Sequence, residues 1–202
     1  MIKSVVLLAL ICAFTTAASA EQLSGKVLYN SKDNRVMGLK TSSGLVALAY
    51  GTDMQFTGVP AMDAVKSCDE IEVDAVAKGP GKEIKGVLFK MKGDPASCQI
   101  PATSVVPVAD MYRALQDKSA AVVDVRNPEE FAKAHFDGAV NIPLVEIAAR
   151  LEELPKGKPV ILYCSTARRS AFAAAMLREK GINSSYVKGK FAVKDGKPQI
   201  IE

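Results

Sequence analysis

The first half of the chain is a series of short runs in which hydrophobic and polar residues alternate. Five such runs, each bounded by turn-forming residues, lie at 25–29, 35–40, 44–50, 71–77 and 86–91. Alternation with a period of two is typical of strands, and in the first run it places Val27 and Tyr29 on one face. With a short helix expected over 61–67, the pattern predicts a small, mainly β domain that folds as a barrel or sandwich.

From about residue 101 the hydrophobic pattern changes. Continuous apolar runs at 121–125 and 160–163 are typical of buried parallel strands, and 184–187 is expected to be a short last strand. Predicted helices alternate with these strands, at 108–117, 144–154 and 169–180 and at 128–134, where a proline stands in the first turn. The alternation predicts an α/β domain with a parallel sheet between helices. Glycine and proline cluster between the two patterns, so we assign the β domain to 21–99 and the α/β domain to 101–202.

The first twenty residues have the pattern of a secretory signal peptide. Lys3 precedes an almost unbroken apolar run at 5–14, and Ala18 and Ala20 frame a small-residue cleavage motif. The run is far shorter than the ~20 residues that a membrane-spanning helix needs. We therefore predict cleavage after Ala20 and export to the periplasm. No second long apolar run follows, so we expect no membrane association after cleavage.

Composition narrows the classes of function. Hydrophobic residues make up 49% of the 202 positions and charged residues 24%, which favours a folded core over disorder. The net charge of +4 is too small to indicate a nucleic-acid partner. The single histidine excludes sites that need two histidine ligands, and we expect neither a metal nor another cofactor.

The four cysteines fall into three groups. Cys12 lies inside the predicted signal peptide and is lost with it. Cys68 and Cys98 lie in the β-rich half, and in an oxidising compartment we expect them to form a disulfide worth about 3–4 kcal/mol. The alternative is a pair of unpaired buried thiols. Cys164 is then left without a partner, which indicates either a reactive thiol or a buried one.

The surroundings of Cys164 favour a reactive thiol. The residue follows a buried strand, at the sheet edge where open α/β sheets place their ligands, and a helix begins a few residues later. Free backbone N–H groups at the helix start, with Arg168 and Arg169, would stabilise a thiolate and bind an anion. The plainer interpretation is that Cys164 is a thiol of the core and that Arg168 and Arg169 are solvated charges. Ser170 would then only cap the helix.

Two segments carry a resemblance to a known family. The segment 164–170, CSTARRS, resembles the active-site loop of single-domain rhodaneses, in which four residues separate the cysteine from an arginine that Ser or Thr follows. The stretches 123–131, VDVRNPEEF, and 135–143, HFDGAVNIP, resemble the second signature of that family. The resemblance covers about residues 103–202.

The resemblance implies a five-stranded parallel sheet and a sulfurtransferase that works through a persulfide on Cys164. The sulfur would come from thiosulfate or a similar anion and pass to cyanide or a thiol, with a protein acceptor as a further option. The expected substrate-binding residues are those of the loop: Ser165, Thr166, Ala167, Arg168, Arg169 and Ser170. The expected structural supports are Asp124, Arg126, Glu130 and His135, the first three as one buried salt-bridge cluster.

The sequence departs from the family pattern at three places. Ala134 and Ala167 replace glycines that are common in the family, and Gly189, Lys190 and Phe191 stand where many relatives have Gly-Gly and then Trp. The chain has no Trp. These changes concern the turn of the loop and its C-terminal support more than the nucleophile.

Two alternatives remain open. One is a related fold that acts on phosphate or arsenate, but that fold places five residues between Cys and Arg, whereas only 165–168 intervene here. The smaller loop suits a single sulfur atom, so we expect no useful phosphatase activity. The other alternative is a sulfur carrier without turnover, or a redox or binding module, which docks through the β-rich domain.

Overall fold

The computed structural model describes residues 19–94, 96 and 98–201. The predicted signal peptide therefore lies, apart from its last two residues, outside the described part of the chain. No helix within that part is long and apolar enough to cross a membrane.

Five strands of the N-terminal half close into a barrel. They are β1 (Glu21–Ser31), β2 (Val36–Thr41), β3 (Gly44–Phe56), β4 (Glu70–Lys78) and β5 (Gly81–Met91), in the order β1-β2-β3-β5-β4. The neighbours are antiparallel except for β3 and β5, which run parallel. A 3-10 helix, Met62–Ala64, stands where the short helix was expected. The prediction of a mainly β, barrel-like region is confirmed.

The C-terminal half contains the five-stranded parallel sheet that the resemblance implies. Its strands and helices are β6 (Ser104–Val106), α1 (Val108–Asp117), β7 (Ala121–Asp124), α2 (Pro128–Lys133), β8 (Val140–Asn141), β9 (Val160–Tyr163), α3 (Arg168–Glu179) and β10 (Ser184–Val187). The sheet order β6-β10-β9-β7-β8 makes β9 the central strand. Every neighbouring pair is parallel, so the carboxyl ends of all five strands meet at one edge.

The helix predicted over 144–154 is wrong. The segment forms successive turns with i to i+3 hydrogen bonds, such as Leu154 N to Leu151 O at 3.1 Å, and a 3-10 helix at Leu151–Glu153. Leu144, Ile147 and Leu154 are nevertheless buried. Turns that bring every third residue to one side produce the same apolar spacing as an amphipathic helix, so the pattern could not separate them.

A C-terminal hairpin was missed by the sequence analysis. It consists of β11 (Lys190–Lys194) and β12 (Lys197–Ile201), paired antiparallel. The hairpin packs on the sheet through Phe191, whose ring lies edge-on to Phe136 with 5.7 Å between centroids. Its apolar residues adjoin one another, at 191–193 and 200–201, and do not alternate with polar ones, so the sequence shows no period-two strand pattern there.

Besides the interior of the barrel, a second hydrophobic core contains residues of both the barrel and the α/β domain. The barrel interior is filled by residues such as Val27 and Leu39, whereas Leu28 and Tyr29 belong to a second core together with Phe172 of α3. The register of β1 shifts between Val27 and Tyr29, and a bulge of this kind sends the two side chains to different faces. The expectation that they share a face is therefore wrong.

Close packing at one glycine holds the barrel against α3. A Cβ atom added to Gly38 would lie 2.7 Å from two carbons of the fully buried Phe172 ring. Nearby, Glu179 of α3 accepts a hydrogen bond from the backbone N–H of Leu45 at 2.9 Å. The helix that begins at the Cys164 loop is thus fixed along its length by the barrel.

The structure contains the predicted disulfide between Cys68 and Cys98, whose Cα atoms are 5.0 Å apart. It joins the barrel to the segment that connects the two halves. Cys98 and Ile100 pack on the core that the two halves share, so the disulfide fixes the path of this segment over the molecule.

We expect Gly38→Ala to lower the free energy of unfolding by roughly 1–3 kcal/mol, because the added methyl group overpacks the site of Phe172. Gly86→Ala is the matched control, since the nearest atoms to its Cβ would lie 3.6 Å away. That variant should change stability by no more than about 1 kcal/mol. Urea unfolding of the full chain measures both, and equal effects would show that the contact at Gly38 does not limit packing.

Candidate active site

Cys164 lies directly after the central strand β9 and is 2% exposed. It is the free cysteine of the described chain. The hydroxyl of Ser170 lies 3.6 Å from its sulfur and 3.0 Å from the carbonyl of Ala167, so its single proton can be donated to either acceptor. The strand thus presents a thiol at the carboxyl edge of the sheet, beneath the start of α3.

The loop turns sharply at Ala167. This residue precedes the first residue of α3 with φ +64° and ψ −16°, in the left-handed region, and no side chain caps the helix there. The first N–H groups of a helix have no partner within it. The loop is anchored by a hydrogen bond from Phe191 N to Ser165 O at 3.0 Å, and α3 begins at Arg168, soon after the thiol in the chain.

Arg169 is bound inside the site and does not point into solvent. Its guanidinium donates to both carboxylate oxygens of Glu130, at 2.6 and 2.8 Å, and to the hydroxyl of Ser165 at 2.6 Å. Ser165 in turn donates to Glu130 at 2.9 Å. Arg169 and Ser165 were expected to hold the substrate, but in this structure their polar groups are used to fix the loop to α2.

The ion pair with Arg169 also determines the charge state of Glu130. Burial acts to raise the pKa of this carboxyl, but the hydrogen bonds and charge of Arg169 outweigh it and hold the pKa below its ordinary value. Glu130 is therefore ionised at neutral pH. The positive charge of Arg169 is neutralised within the protein.

Asp124 and Arg126 form a second buried pair, separate from Glu130. The Arg126 guanidinium donates to the Asp124 carboxylate, with the shortest contact at 2.6 Å, and to the carbonyl of Ala134 at 2.7 Å. Its planar group lies 3.8 Å from the centroid of Phe191. The expected single cluster of Asp124, Arg126 and Glu130 is therefore wrong: Asp124 pairs with Arg126, whereas the counter-ion of Glu130 is Arg169.

Phe191 occupies the place where many family members have Trp. Besides covering Arg126, its ring is nearly parallel to that of Tyr163, with 6.1 Å between centroids. The stack supports the end of β9 from the side of the C-terminal hairpin. An aromatic face thus remains where the Trp is missing.

His135 contacts α2. Its ring stacks on Phe131 with 3.8 Å between centroids, and Nδ1 lies 2.9 Å from the carbonyl oxygen of Phe131. Within the described residues it makes no hydrogen bond to the loop 164–170. The structure gives it a part in ending α2.

Thr166, Ala167 and Arg168 are the loop residues that face outward. They form one wall of an open cleft, and Thr166 and Arg168 are exposed. Arg168 forms no ion pair with any residue that the structure describes. The free positive charge of the loop is therefore that of Arg168, while its neighbour Arg169 is paired inside.

The barrel contributes a residue that the sequence analysis missed. Tyr29 is buried in the same core as Cys164, and its ring centroid is 6.4 Å from that of Phe172. Burial raises the pKa of Tyr29 to about 12, against the opposing influences of Ser31 and Arg169. No motif marks this residue, because its position near the loop depends on how the two halves pack.

No cluster of His, Cys, Asp and Glu that could hold a metal ion is found in the described part of the chain. The site is built from a thiol, backbone N–H groups, hydroxyls and arginines. Such groups bind and react with anions and electrophilic sulfur.

We expect Glu130→Gln to destabilise the protein by about 2–4 kcal/mol, because it leaves the buried Arg169 without a counter-charge. The pKa of Glu130 is lowered in the folded state, so its stabilisation is complete above its unfolded value of about 4.3 and is lost as the pH falls further. Urea unfolding at pH 7 and between pH 3 and 5 should show a smaller loss of stability toward acid in the variant.

The control for this experiment is Glu129→Gln, which removes the same charge from the adjacent, exposed position. It should alter stability by no more than about 0.5 kcal/mol. Equal effects of the two variants would contradict the role given to the Arg169–Glu130 pair.

Ala167→Gly should stabilise the protein by up to about 1 kcal/mol. A left-handed conformation costs a residue with a Cβ about 1–2 kcal/mol, and the greater freedom of glycine in the unfolded chain offsets part of the gain. Ala171→Gly, one turn later in α3, should instead destabilise by about 1 kcal/mol. The midpoint of thermal unfolding should therefore rise in Ala167→Gly and fall in Ala171→Gly. A loss of stability in both variants would rule out strain at Ala167.

Comparison with known proteins identifies the family. Residues 107–193 match the model of the rhodanese-like domain. The chain is 30% identical over 141 residues to "Putative sulfur carrier protein YrkF" of Bacillus subtilis (strain 168), an alignment that covers 64% of this chain and 75% of that protein.

Two further relatives align over shorter stretches of the chain. "Uncharacterized protein YqhL" of Bacillus subtilis (strain 168) is 43% identical over 81 residues, which are 40% of this chain and 64% of that protein. A "Sulfurtransferase" of Allochromatium vinosum is 33% identical over 69 residues, which are 34% of this chain and 64% of that protein. The chain thus spans somewhat less than two thirds of these two relatives, and it belongs to the family of proteins with a rhodanese-like domain.

Proposed function

We propose that this protein is a sulfurtransferase that moves sulfane sulfur from thiosulfate or a similar donor to a thiophilic acceptor through a persulfide on Cys164. The observation that carries the proposal is the free thiol at the end of β9, inside a loop that a buried ion pair holds in shape. The names of two relatives, a putative sulfur carrier and a sulfurtransferase, support a role in sulfur transfer.

The first step is an attack by the Cys164 thiolate on the outer sulfur of the donor. With thiosulfate, a new sulfur–sulfur bond forms to Cys164, the sulfur–sulfur bond of the donor breaks, and sulfite leaves with the bonding electrons. This is covalent catalysis, which divides the transfer into two steps. Arg168, exposed at the rim of the loop and without an ion-pair partner in the described chain, would attract the anionic donor.

The loop would hold the persulfide between the two steps. The outer sulfur carries negative charge, and the free N–H groups at the start of α3 favour an anion at that position. Ser170 can also donate its proton toward the sulfur, since its hydroxyl lies 3.6 Å away. Arg169 and Ser165 would act by positioning, because Glu130 already engages their polar groups.

In the second step an acceptor removes the outer sulfur. Cyanide or a thiolate attacks that sulfur, the bond to Cys164 breaks, and Cys164 leaves as a thiolate ready for the next cycle. The products are thiocyanate or the persulfide of the acceptor. This exchange needs no proton donor, because the attacking and leaving groups are both anions, and His135 is given no role in it.

We also propose that residues 1–20 direct the protein to the periplasm, as the leader pattern indicates. The disulfide between Cys68 and Cys98 supports this proposal, because such bonds persist in oxidising compartments. Cys164 would then act in a compartment where a free thiol needs protection, and its burial provides some.

A sulfur carrier is the second candidate. The burial of Cys164 and the name of YrkF, a putative sulfur carrier, favour it, because a carrier needs only to accept one sulfur and release it to a partner. Loading with sulfur is common to both candidates. Repeated turnover with a small acceptor separates them.

Mass spectrometry of the full chain after treatment with thiosulfate should show one added sulfur on Cys164, and none in Cys164→Ser. Thiocyanate should also form from thiosulfate and cyanide in the steady state, because removal of the outer sulfur by cyanide regenerates the Cys164 thiolate. An unmodified Cys164 would refute both candidates. Loading without turnover would favour the carrier, and hydrolysis of p-nitrophenyl phosphate at a comparable rate would favour the phosphatase alternative.

A further inference from the structure

An open cleft of about 1390 Å³ lies beside the Cys164 loop. Thr166, Ala167 and Arg168 of the loop line one part of it, and the connecting segment 100–103 with β6 lines another. Further lining comes from the end of β10 and from the C-terminal hairpin, at Tyr186, Lys188, Lys190 and Ile201. The mechanism proposed above uses only the loop side of this cleft.

The cleft carries positive charge and no negative charge. Three cations line it, namely Arg168, Lys188 and Lys190, and the lining includes neither Asp nor Glu. All three are exposed, and none forms an ion pair with a residue in the described ranges. An occupant with carboxylates would complement this surface.

The same cleft is lined largely by apolar side chains. Val105 is 50% exposed and Ile201 is 54% exposed, which places both among the large hydrophobic residues that the described chain leaves in solvent. Ile100, Pro101 and Tyr186 add to this surface. Apolar area rimmed by charge is typical of a binding surface for another polypeptide.

Size and backbone geometry favour an extended peptide as the occupant. Pockets for small molecules usually enclose about 300–1000 Å³, and this cleft is both larger and open. Its wall includes β6, an edge strand that pairs with β10 on one side, within the sheet as described. The other side of β6 offers backbone donors and acceptors to a strand-like segment.

We propose that this cleft binds an extended, acidic peptide segment of an acceptor protein, and that a cysteine of this segment takes the sulfur from Cys164. The proposal rests on the sulfurtransferase function proposed above. The acceptor thiolate attacks the outer sulfur of the persulfide, the bond between that sulfur and Cys164 breaks, and Cys164 leaves as a thiolate. The acceptor ends as a persulfide, so no other oxidant or reductant is required.

The test uses two synthetic peptides, each with one cysteine, flanked by Asp residues in the first and by Asn residues in the second. The full chain is first loaded with thiosulfate, and loading of Cys164 is verified by mass spectrometry. Single-turnover transfer to the Asp peptide should be roughly tenfold faster than to the Asn peptide at low salt, and the ratio should fall as salt is added.

Variants of the cleft lysines then test whether these charges cause the preference for the Asp peptide. The double variant Lys188→Gln/Lys190→Gln should remove most of the advantage of the Asp peptide, because it takes two of the three cations from the cleft. The matched control Lys194→Gln/Lys197→Gln removes two charges at the far end of the same hairpin and should keep the advantage.

The outcomes separate the two proposals. A chain that never loads with sulfur overturns the proposed function itself. A loaded chain that transfers equally well to both peptides, or keeps its preference in Lys188→Gln/Lys190→Gln, overturns the cleft proposal alone. Mercaptosuccinate that reacts as fast as the Asp peptide would show that the cleft selects small acids and not a peptide.

Discussion

The buried ion pair between Arg169 and Glu130 determines the shape of the loop around Cys164. It connects the first turn of α3 to α2, and Ser165 bridges the two charges. A buried guanidinium is tolerated only if its charge is compensated and its donors are used. The position of α2 is therefore a condition for the loop. Since Glu130 also accepts from the N–H of Asn127 at 3.1 Å, the same carboxylate helps to begin α2 and to close the active site.

The barrel extends this constraint to the other half of the chain. It packs Tyr29 and Gly38 against Phe172, in the second turn of α3, and the Asn127 side chain donates to Asn34 of the barrel at 3.4 Å. The two helices that hold the loop are thus each in contact with the barrel. A β-rich region that looked like a separate module in the sequence is, physically, a support for the site.

The sequence was sufficient for the fold of each half, because alternation and continuous apolar runs reflect burial on one face or on two. It was insufficient where one pattern serves two structures, as in the turns around Leu144 and Leu154. It was also insufficient for contacts between halves. The bulge in β1 that separates Val27 from Tyr29 has no sequence signal, and Gly38 gives no sign that it faces an aromatic ring on a distant helix.

In the candidate site, too, local features were predictable from the sequence and contacts between distant residues were not. The position of Cys164 at a strand end was predictable, because it depends on residues next to it in the chain. The ion-pair partner of Arg169 was not, because Glu130 lies 39 residues away in the chain. Successive residues of a helix point about 100° apart. Arg169 therefore turns inward, where its charge is neutralised, and Arg168 turns outward with its charge free. This difference separates the two tasks of the loop: one arginine maintains its shape, and the other remains available to attract an anion.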